Sequence, residues 1–414
     1  MCFYIDPGTG SMLFTVLVGI LGASIYGLRN LVSKVKFILS AGKQEKVSEK
    51  VLPFVVYTDD KRYYNTFGPI LREFDRRKQP VVYMTASQDD PCFQEKFQYV
   101  TCQFIGEGNK GFAKLNLLRA DVVLATTPGL DVLQWKRSRD VKYYAHVLHM
   151  PNDALYRMYG LDYFDAVLLS GEYQIGQIRE LEQLRGLPAK DLEIVGMPYL
   201  DELQKRYEQS PRPEAHPTTV LLAPTWGKNG ALNRYGSKLI QALLNTGYQV
   251  VIRPHPQSFT SEKEMIDRLM KEFPDGDQLQ WNRDNDNFDI LNRADILFSD
   301  FSGVVFDYCL VFGKPLIYMD LTYDKAPYDG FWLKEEMWTL ETLPKIGYQL
   351  QGNDIENLKP VIDRCLESQD YRDNIAKARE ECWNHRGEGA VRTVDFLIAR
   401  RNQILGKGEE NHAV

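Results

Sequence analysis

The stretch Ile296-Leu297-Phe298-Ser299-Asp300-Phe301-Ser302-Gly303 opens as an apolar strand and passes without a loop into a helix expected over Gly303–Phe312. A buried strand that feeds a helix directly is the repeating unit of a parallel sheet covered by helices. Ser302 and Gly303 fall at the helix N-terminus, where unpaired N–H groups and the helix dipole favour a phosphate. The hydroxyls of Ser299 and Ser302 are further candidate donors. Asp307, one turn in, is a candidate acceptor for ribose hydroxyls. A plain N-cap is the structural alternative.

The same kind of junction recurs on both sides. Val250-Val251-Ile252-Arg253-Pro254-His255-Pro256 delivers an Arg and a His into a turn that two prolines make rigid. Thr225-Trp226-Gly227 follows the apolar run Val220–Pro224. In open α/β sheets, ligands bind at the carboxyl ends of the strands, where all three loops lie.

Further strands are expected at Phe54–Thr58, Val81–Thr85, Tyr99–Ile105, Val122–Thr126, Tyr143–His149, Ala166–Ser170 and Leu316–Met319. Helices are expected at Lys61–Arg77, Ala113–Arg119, Gln174–Leu184, Ser237–Asn245 and Glu262–Phe273, with several more after Asn353. Ser210–Pro217 holds three prolines and no apolar period, so it reads as a linker. The expected fold class is therefore α/β and GT-B-like: two Rossmann-like domains, 51–209 and 218–414, facing a cleft.

A chain of 414 residues has room for two such cores, and 44% apolar content excludes wholesale disorder. A net charge of −6 argues against a broad nucleic-acid face. The six cysteines form no C-x-x-C pair and have no His at zinc spacing, so free structural thiols are expected.

Residues 1–50 form a separate segment. No charge falls between Asp6 and Arg29, and Met12–Leu28 would rise roughly 25 Å as a helix, at the short end of what spans a bilayer. The lysines that follow would hold the body on the cytoplasmic side of a cell membrane. An interfacial or docked helix is the alternative reading.

Two motifs are set aside. Gly106-Glu107-Gly108-Asn109-Lys110-Gly111 follows a strand, but the next strand ends in Thr126-Thr127-Pro128 where dinucleotide binding wants an acid. Asp284-Asn285-Asp286 is better read as helix capping or solvation than as a metal ligand pair. Of His146 and His149, three apart, only one can face the cleft if both lie on a strand. His149, nearer the carboxyl edge and Pro151, is the candidate base for taking a hydroxyl proton.

His149-Met150-Pro151, Ala223-Pro224-Thr225-Trp226-Gly227, Arg253-Pro254-His255-Pro256 and Ser299–Tyr308 together resemble the CDP-glycerol glycerophosphotransferase family, which primes and polymerises teichoic-acid-type polymers. Gly313-Lys314-Pro315, Tyr318 and Asp320 extend the likeness, which covers roughly residues 140–330. The family's His-Gly-Thr-Pro is His149-Met150-Pro151-Asn152 here, and its second Ser after the aromatic is represented by Ser302-Gly303. These departures mark a divergent member.

The resemblance implies a GT-B fold and work at the cytoplasmic membrane face. It implies His149 as base, with His255 and Ser302 holding the donor pyrophosphate. The expected reaction moves glycerol phosphate, or a related polyol phosphate, from a CDP-linked donor to a hydroxyl of a lipid-linked or polymer acceptor, releasing CMP. The expected binding set is Thr225, Arg253, His255, Ser299, Asp300, Ser302, Gly303 and Asp307, with no metal and no separate cofactor. Two alternatives remain: a GT-B glycosyltransferase using an NDP-sugar, and a non-catalytic, membrane-tethered assembly protein.

Overall fold

The structure is a computed structural model that describes residues 51–410, apart from 152, 212–214, 285, 301 and 320–323. Seven strands form the first sheet: β1 (Leu52–Thr58), β2 (Val81–Thr85), β3 (Val100–Phe104), β4 (Ala120–Ala125), β5 (Val141–Val147), β6 (Ala166–Leu169) and β7 (Asp191–Ile194). Six form the second: β8 (Thr219–Leu222), β9 (Gln249–Ile252), β10 (Leu279–Trp281), β11 (Ile296–Ser299), β12 (Leu316–Tyr318) and β13 (Gly347–Gln349).

The orders are β3-β2-β1-β4-β5-β6-β7 and β10-β9-β8-β11-β12-β13, and every pairing is parallel. The two sheets repeat one plan. The chain winds outward from its first strand, then returns past it, leaving a switch point between β1 and β4 and another between β8 and β11. Loops diverge at such points and leave a crevice at the carboxyl edge. Strands buried on both faces read as unbroken apolar runs, which is why ADVVLA of β4 and ILFS of β11 are wholly buried.

Short or polar strands escaped the sequence reading. β7 (DLEI), β10 (LQW) and β13 (GYQ) are only three or four residues long and lack a run of β-formers. The strand expected to reach His149 ends at Val147, so that histidine sits in the following loop. The expected helix Ser237–Asn245 is the second part of Ala231–Leu244, which kinks at Gly236 with φ +46°.

The domain division needs one correction. Residues 218–414 do not all belong to the second domain, because the helix Gly389–Glu410 crosses back. Its Val394, Phe396 and Leu397 are buried with Phe54, Phe74 and Val122 of the first domain. Arg401 Nε donates to Asp121 Oδ2 at 2.9 Å, and Arg77 pairs with Asp395.

A second crossing lies at residues 328–339. Asp329 accepts from the N–H groups of Tyr159 (2.9 Å) and Gly160 (3.3 Å), and Asp153 accepts from those of Trp338 (2.8 Å) and Thr339 (3.0 Å). Apolar contact continues across the seam, where the rings of Tyr207 and Phe312 are 5.0 Å apart.

The proposed anchor Met12–Leu28 lies outside the described residues. Among the described residues, no helix is long and apolar enough to cross a membrane. The five described cysteines are free thiols.

Candidate active site

Six carboxyl-edge loops build the site: those after β1, β4 and β5 in the first domain, and those after β8, β9 and β11 in the second. Thr126 directly follows β4 and is fully buried. Its hydroxyl donates to the carbonyl of Val147 at 2.8 Å and lies 2.8 Å from Nδ1 of His149. A hydroxyl has one proton, and the carbonyl can only accept. Thr126 Oγ1 therefore accepts from His149, which places the imidazole proton on Nδ1 and leaves a lone pair on Nε2. Burial holds the His149 pKa down at about 4, with Arg62 adding a smaller push, so the ring is neutral at physiological pH. Tyr63 packs against it, ring centres 4.6 Å apart.

His146 has a different role. It is wholly buried in β5, its Nε2 is 3.0 Å from the Tyr156 hydroxyl, and its ring meets Tyr156 and Phe164 edge to face. Burial pushes its pKa well below the usual value. Of the two histidines, His149 is the one that reaches the carboxyl edge.

His255 carries the opposite arrangement. The backbone N–H of Gln257 donates to its Nδ1 at 3.1 Å, so the neutral ring bears its proton on Nε2. It is half-buried and its pKa is lowered, first by burial and then by Arg62. Trp226 stands beside it, ring centres 6.4 Å apart. Glu262 pins the Trp226 loop by accepting from the Gly227 N–H at 2.8 Å.

The site thus presents one ring nitrogen able to take a proton and another able to donate a hydrogen bond.

Several expected binding residues face elsewhere, and those expectations are corrected here. Ser299 is fully buried and donates to the carbonyl of Ala223 at 2.7 Å. Asp300, 1% exposed, accepts from the N–H of Thr225 (2.8 and 3.0 Å) and of Ala231 (3.1 Å). Both residues tie the β11 loop to the β8 loop, which makes them positioning residues for Thr225. Burial raises Asp300 to about 6. Asp307 does not face a ribose position: it lies in the domain seam, where it accepts from the Tyr199 hydroxyl at 3.0 Å and burial raises it to about 7.

Arg253 turns toward the β10 edge, where Nη1 donates to Asn282 Oδ1 (2.5 Å) and the Asp284 carbonyl (2.7 Å). Asp286, one residue before the N-cap Asn287, accepts from the Phe288 N–H at 3.0 Å at the start of the helix Phe288–Arg293 and pairs with Arg206.

Ser302 and Gly303 begin the helix Val304–Phe312 and line a cavity of ≈ 70 Å³ with Met150 and Thr339. A Cβ placed on Gly303 would stand 2.7 Å from Met150 Sδ. Water occupies about 30 Å³ per molecule, so this space holds one or two waters and no nucleotide. The seam is closed over the helix N-terminus in this arrangement.

Three contributors escape the sequence reading. Arg62 and Tyr63 follow β1 in a short 3₁₀ turn capped by the Asp60 side chain. The polar run Asp59-Asp60-Lys61-Arg62 straight after a buried strand was the available signal. Thr126 was noticed only as the residue that spoils a dinucleotide motif.

Two parallel doubly wound sheets meeting at a seam lined by their carboxyl-edge loops define a GT-B-like fold. Residues 172–341 match the family described as CDP-glycerol:poly(glycerophosphate) glycerophosphotransferase. The resemblance read from the motifs is thereby shown over those residues, and the match supports an enzyme similar to the CDP-glycerol glycerophosphotransferases.

Among solved structures, the wall teichoic acid polymerase TagF soaked with CDPG is similar over 94% of this chain and 99% of its own, at 15% identity and a TM-score of 0.53. The UDP-GlcNAc 2-epimerase of Methanocaldococcus jannaschii, with UDP-GlcNAc and UDP, covers 84% and 100% at 14% identity and a TM-score of 0.55. A putative UDP-N-acetylglucosamine 2-epimerase from Listeria monocytogenes covers 83% and 95% at 14% identity and a TM-score of 0.54. At these identities the likeness is one of fold. No curated protein matches the chain in sequence.

Proposed function

We propose that the protein transfers glycerol phosphate, or a related polyol phosphate, from a CDP-linked donor to a hydroxyl of a lipid-linked or polymer acceptor. The observation that carries this reading is the complementary protonation of the two histidines, joined to the family match over residues 172–341.

The acceptor oxygen attacks the donor's β-phosphorus while Nε2 of His149 takes its proton. A new phosphorus–oxygen bond forms to the acceptor, the bond to the CMP oxygen breaks, and CMP leaves with that electron pair. Nε2–H of His255 and the N–H groups at the start of the Val304–Phe312 helix donate to the phosphate oxygens as charge redistributes. Arg62, from the opposite domain to His255, adds positive charge at the same place. Preorganised donors of this kind serve phosphoryl transfer mainly by positioning and electrostatics. The reading uses no metal and no cofactor beyond the donor.

Donor entry requires Met150 to withdraw from Gly303, so the closed seam is taken as the resting arrangement. The apolar N-terminal segment would hold the body at the cytoplasmic face of a membrane, beside a lipid-linked acceptor.

The test is nucleotide release. The full chain is incubated with CDP-glycerol, CDP-ribitol or UDP-sugars and detergent-solubilised membrane lipids, and products are separated by chromatography. CMP release from a CDP-polyol that is lost in His149→Ala is the expected result. UDP release from a UDP-sugar would replace the reading with glycosyl transfer.

A further inference from the structure

The two domains are joined where the helix Pro198–Gln209 leaves the first and residues 383–388 return to it. Between these crossings lies a cavity of ≈ 580 Å³, with Trp383 in its lining and the side chains of Arg379, Arg386 and Lys205 in its walls. None of these groups takes part in the site described above.

The acids beside them are already engaged. Asp201 accepts from Trp383 Nε1 (2.9 Å) and from the N–H groups of Gly387 (2.8 Å) and Gly389 (2.9 Å). Glu202 pairs with Arg72 at 3.2 Å, and Glu208 accepts from Gln204 at 2.9 Å. Arg386 has one ion pair, to Glu380 at 2.7 Å.

Arg379 has none. Its Nε is buried with no hydrogen-bond partner among the described residues, and its Nη2 lies against Gly313 at the end of the helix Val304–Phe312. Burial first, and then the neighbouring guanidinium of Arg386, disfavour its charge, and Glu380 offsets them only in part. A half-buried guanidinium whose neighbouring carboxylate, Glu380, is already paired with a second guanidinium is a poor arrangement for an empty cavity. The same arrangement suits an anionic occupant, because a guanidinium presents a fixed fork of donors matched to phosphate.

We propose that this cavity is an anion site in which Arg379, supported by Arg386, binds a phosphate or phosphodiester group. The volume accommodates such a group with a polyol-sized substituent, and the wall residues come from both crossings. The site stands apart from the histidine loops, so the proposal does not rest on the functional reading.

The test is isothermal titration calorimetry of the full chain with sodium pyrophosphate, at ionic strength held constant with chloride. A His255→Gln background removes the contribution expected from the active site. Saturable binding that persists in that background and weakens about tenfold or more on adding Arg379→Gln is the expected result, in line with loss of a charge-assisted bidentate contact. Affinity equal to that of the His255→Gln parent in both Arg379→Gln and Arg386→Gln, with melting temperatures unchanged, would overturn the proposal. So would complete loss of binding on His255→Gln alone.

If Arg379→Gln fails to fold, the more exposed Arg386→Gln decides: weaker binding supports the site and unchanged binding overturns it. Displacement of pyrophosphate by soluble bis(glycero)phosphate would assign a free phosphodiester. Displacement only by phosphatidylglycerol vesicles would assign a lipid headgroup.

Discussion

The sharpest consequence of the site concerns Thr126, which touches no substrate in the proposed mechanism. Thr126→Val keeps the shape of the side chain and removes its hydroxyl. The Val147 carbonyl then loses one donor and the His149 Nδ1–H loses its acceptor. Stranding buried groups in this way costs roughly 1–3 kcal/mol of stability. The kinetic effect follows from the tautomer. Without the hydroxyl, nothing in the described structure holds the proton on Nδ1, and the ring is free to present Nε2–H, which cannot act as a base.

General-base catalysis is worth about 10²–10⁴-fold, so His149→Ala should cost that much. Loss of an orienting partner should cost less, roughly 10–100-fold in kcat, by comparison with outer-shell partners of other histidines. The donor KM should stay put, and Thr126→Ser should restore most of the rate. The assay is CMP release from CDP-glycerol across pH 5–9, with thermal unfolding run alongside. A folded Thr126→Val with parental kcat, set against an inactive His149→Ala, would refute the orienting role. Full activity in His149→Ala would remove the base itself.

Three further outcomes follow from the same geometry. Arg62 depresses the pKa of both His149 and His255, so Arg62→Ala should move the acid limb of the pH–rate profile upward; an unmoved limb would show that its charge does not reach the site. Asp307 holds its proton to about pH 7 in the folded protein and to about 3.9 when unfolded, so its ionisation costs stability as pH rises through that window, by at most about 4 kcal/mol. Asp307→Asn should remove that slope from melting temperatures measured between pH 4 and 8, whereas His149, whose pKa is lowered, contributes the opposite slope in both proteins and cancels in the difference. Met150 covers the helix N-terminus at Gly303, so Met150→Ala should tighten donor binding about fivefold, the equivalent of about 1 kcal/mol of lost seam contact, as measured by calorimetry with CDP-glycerol; unchanged affinity would mean that the seam is not closed in solution.

What could be read from the chain and what could not divide along a physical line. Buried parallel strands must be apolar throughout, so β1, β4, β8 and β11 announced themselves, and with them the two-sheet plan. Loops at their carboxyl ends were therefore known to share one edge. The helix Gly389–Glu410 was assigned to the wrong domain because an amphipathic stripe declares that it will be buried, not against which sheet.

The direction each loop side chain takes depends on partners distant in sequence, and this is where the motif reading overreached. Ser299 and Asp300 sit in the most specific part of the family pattern, yet they spend their hydrogen bonds on Ala223, Thr225 and Ala231, some 70 residues away. A motif residue at a switch point has two ways to be needed: it can touch the ligand, or it can hold still the loop that does. Asp300 accepts three hydrogen bonds from two N–H groups and is 1% exposed, which leaves it only the second role. His149 and His255 show the complementary case. Both are histidines in loops that follow a buried strand, with a proline within two residues, and nothing in those surroundings says which ring nitrogen carries the proton. A threonine hydroxyl faces one Nδ1 and a backbone N–H faces the other. The hydroxyl, its proton already given to Val147, can only accept and the N–H can only donate, so one imidazole keeps a lone pair on Nε2 and the other a proton there, the two states that the proposed mechanism uses.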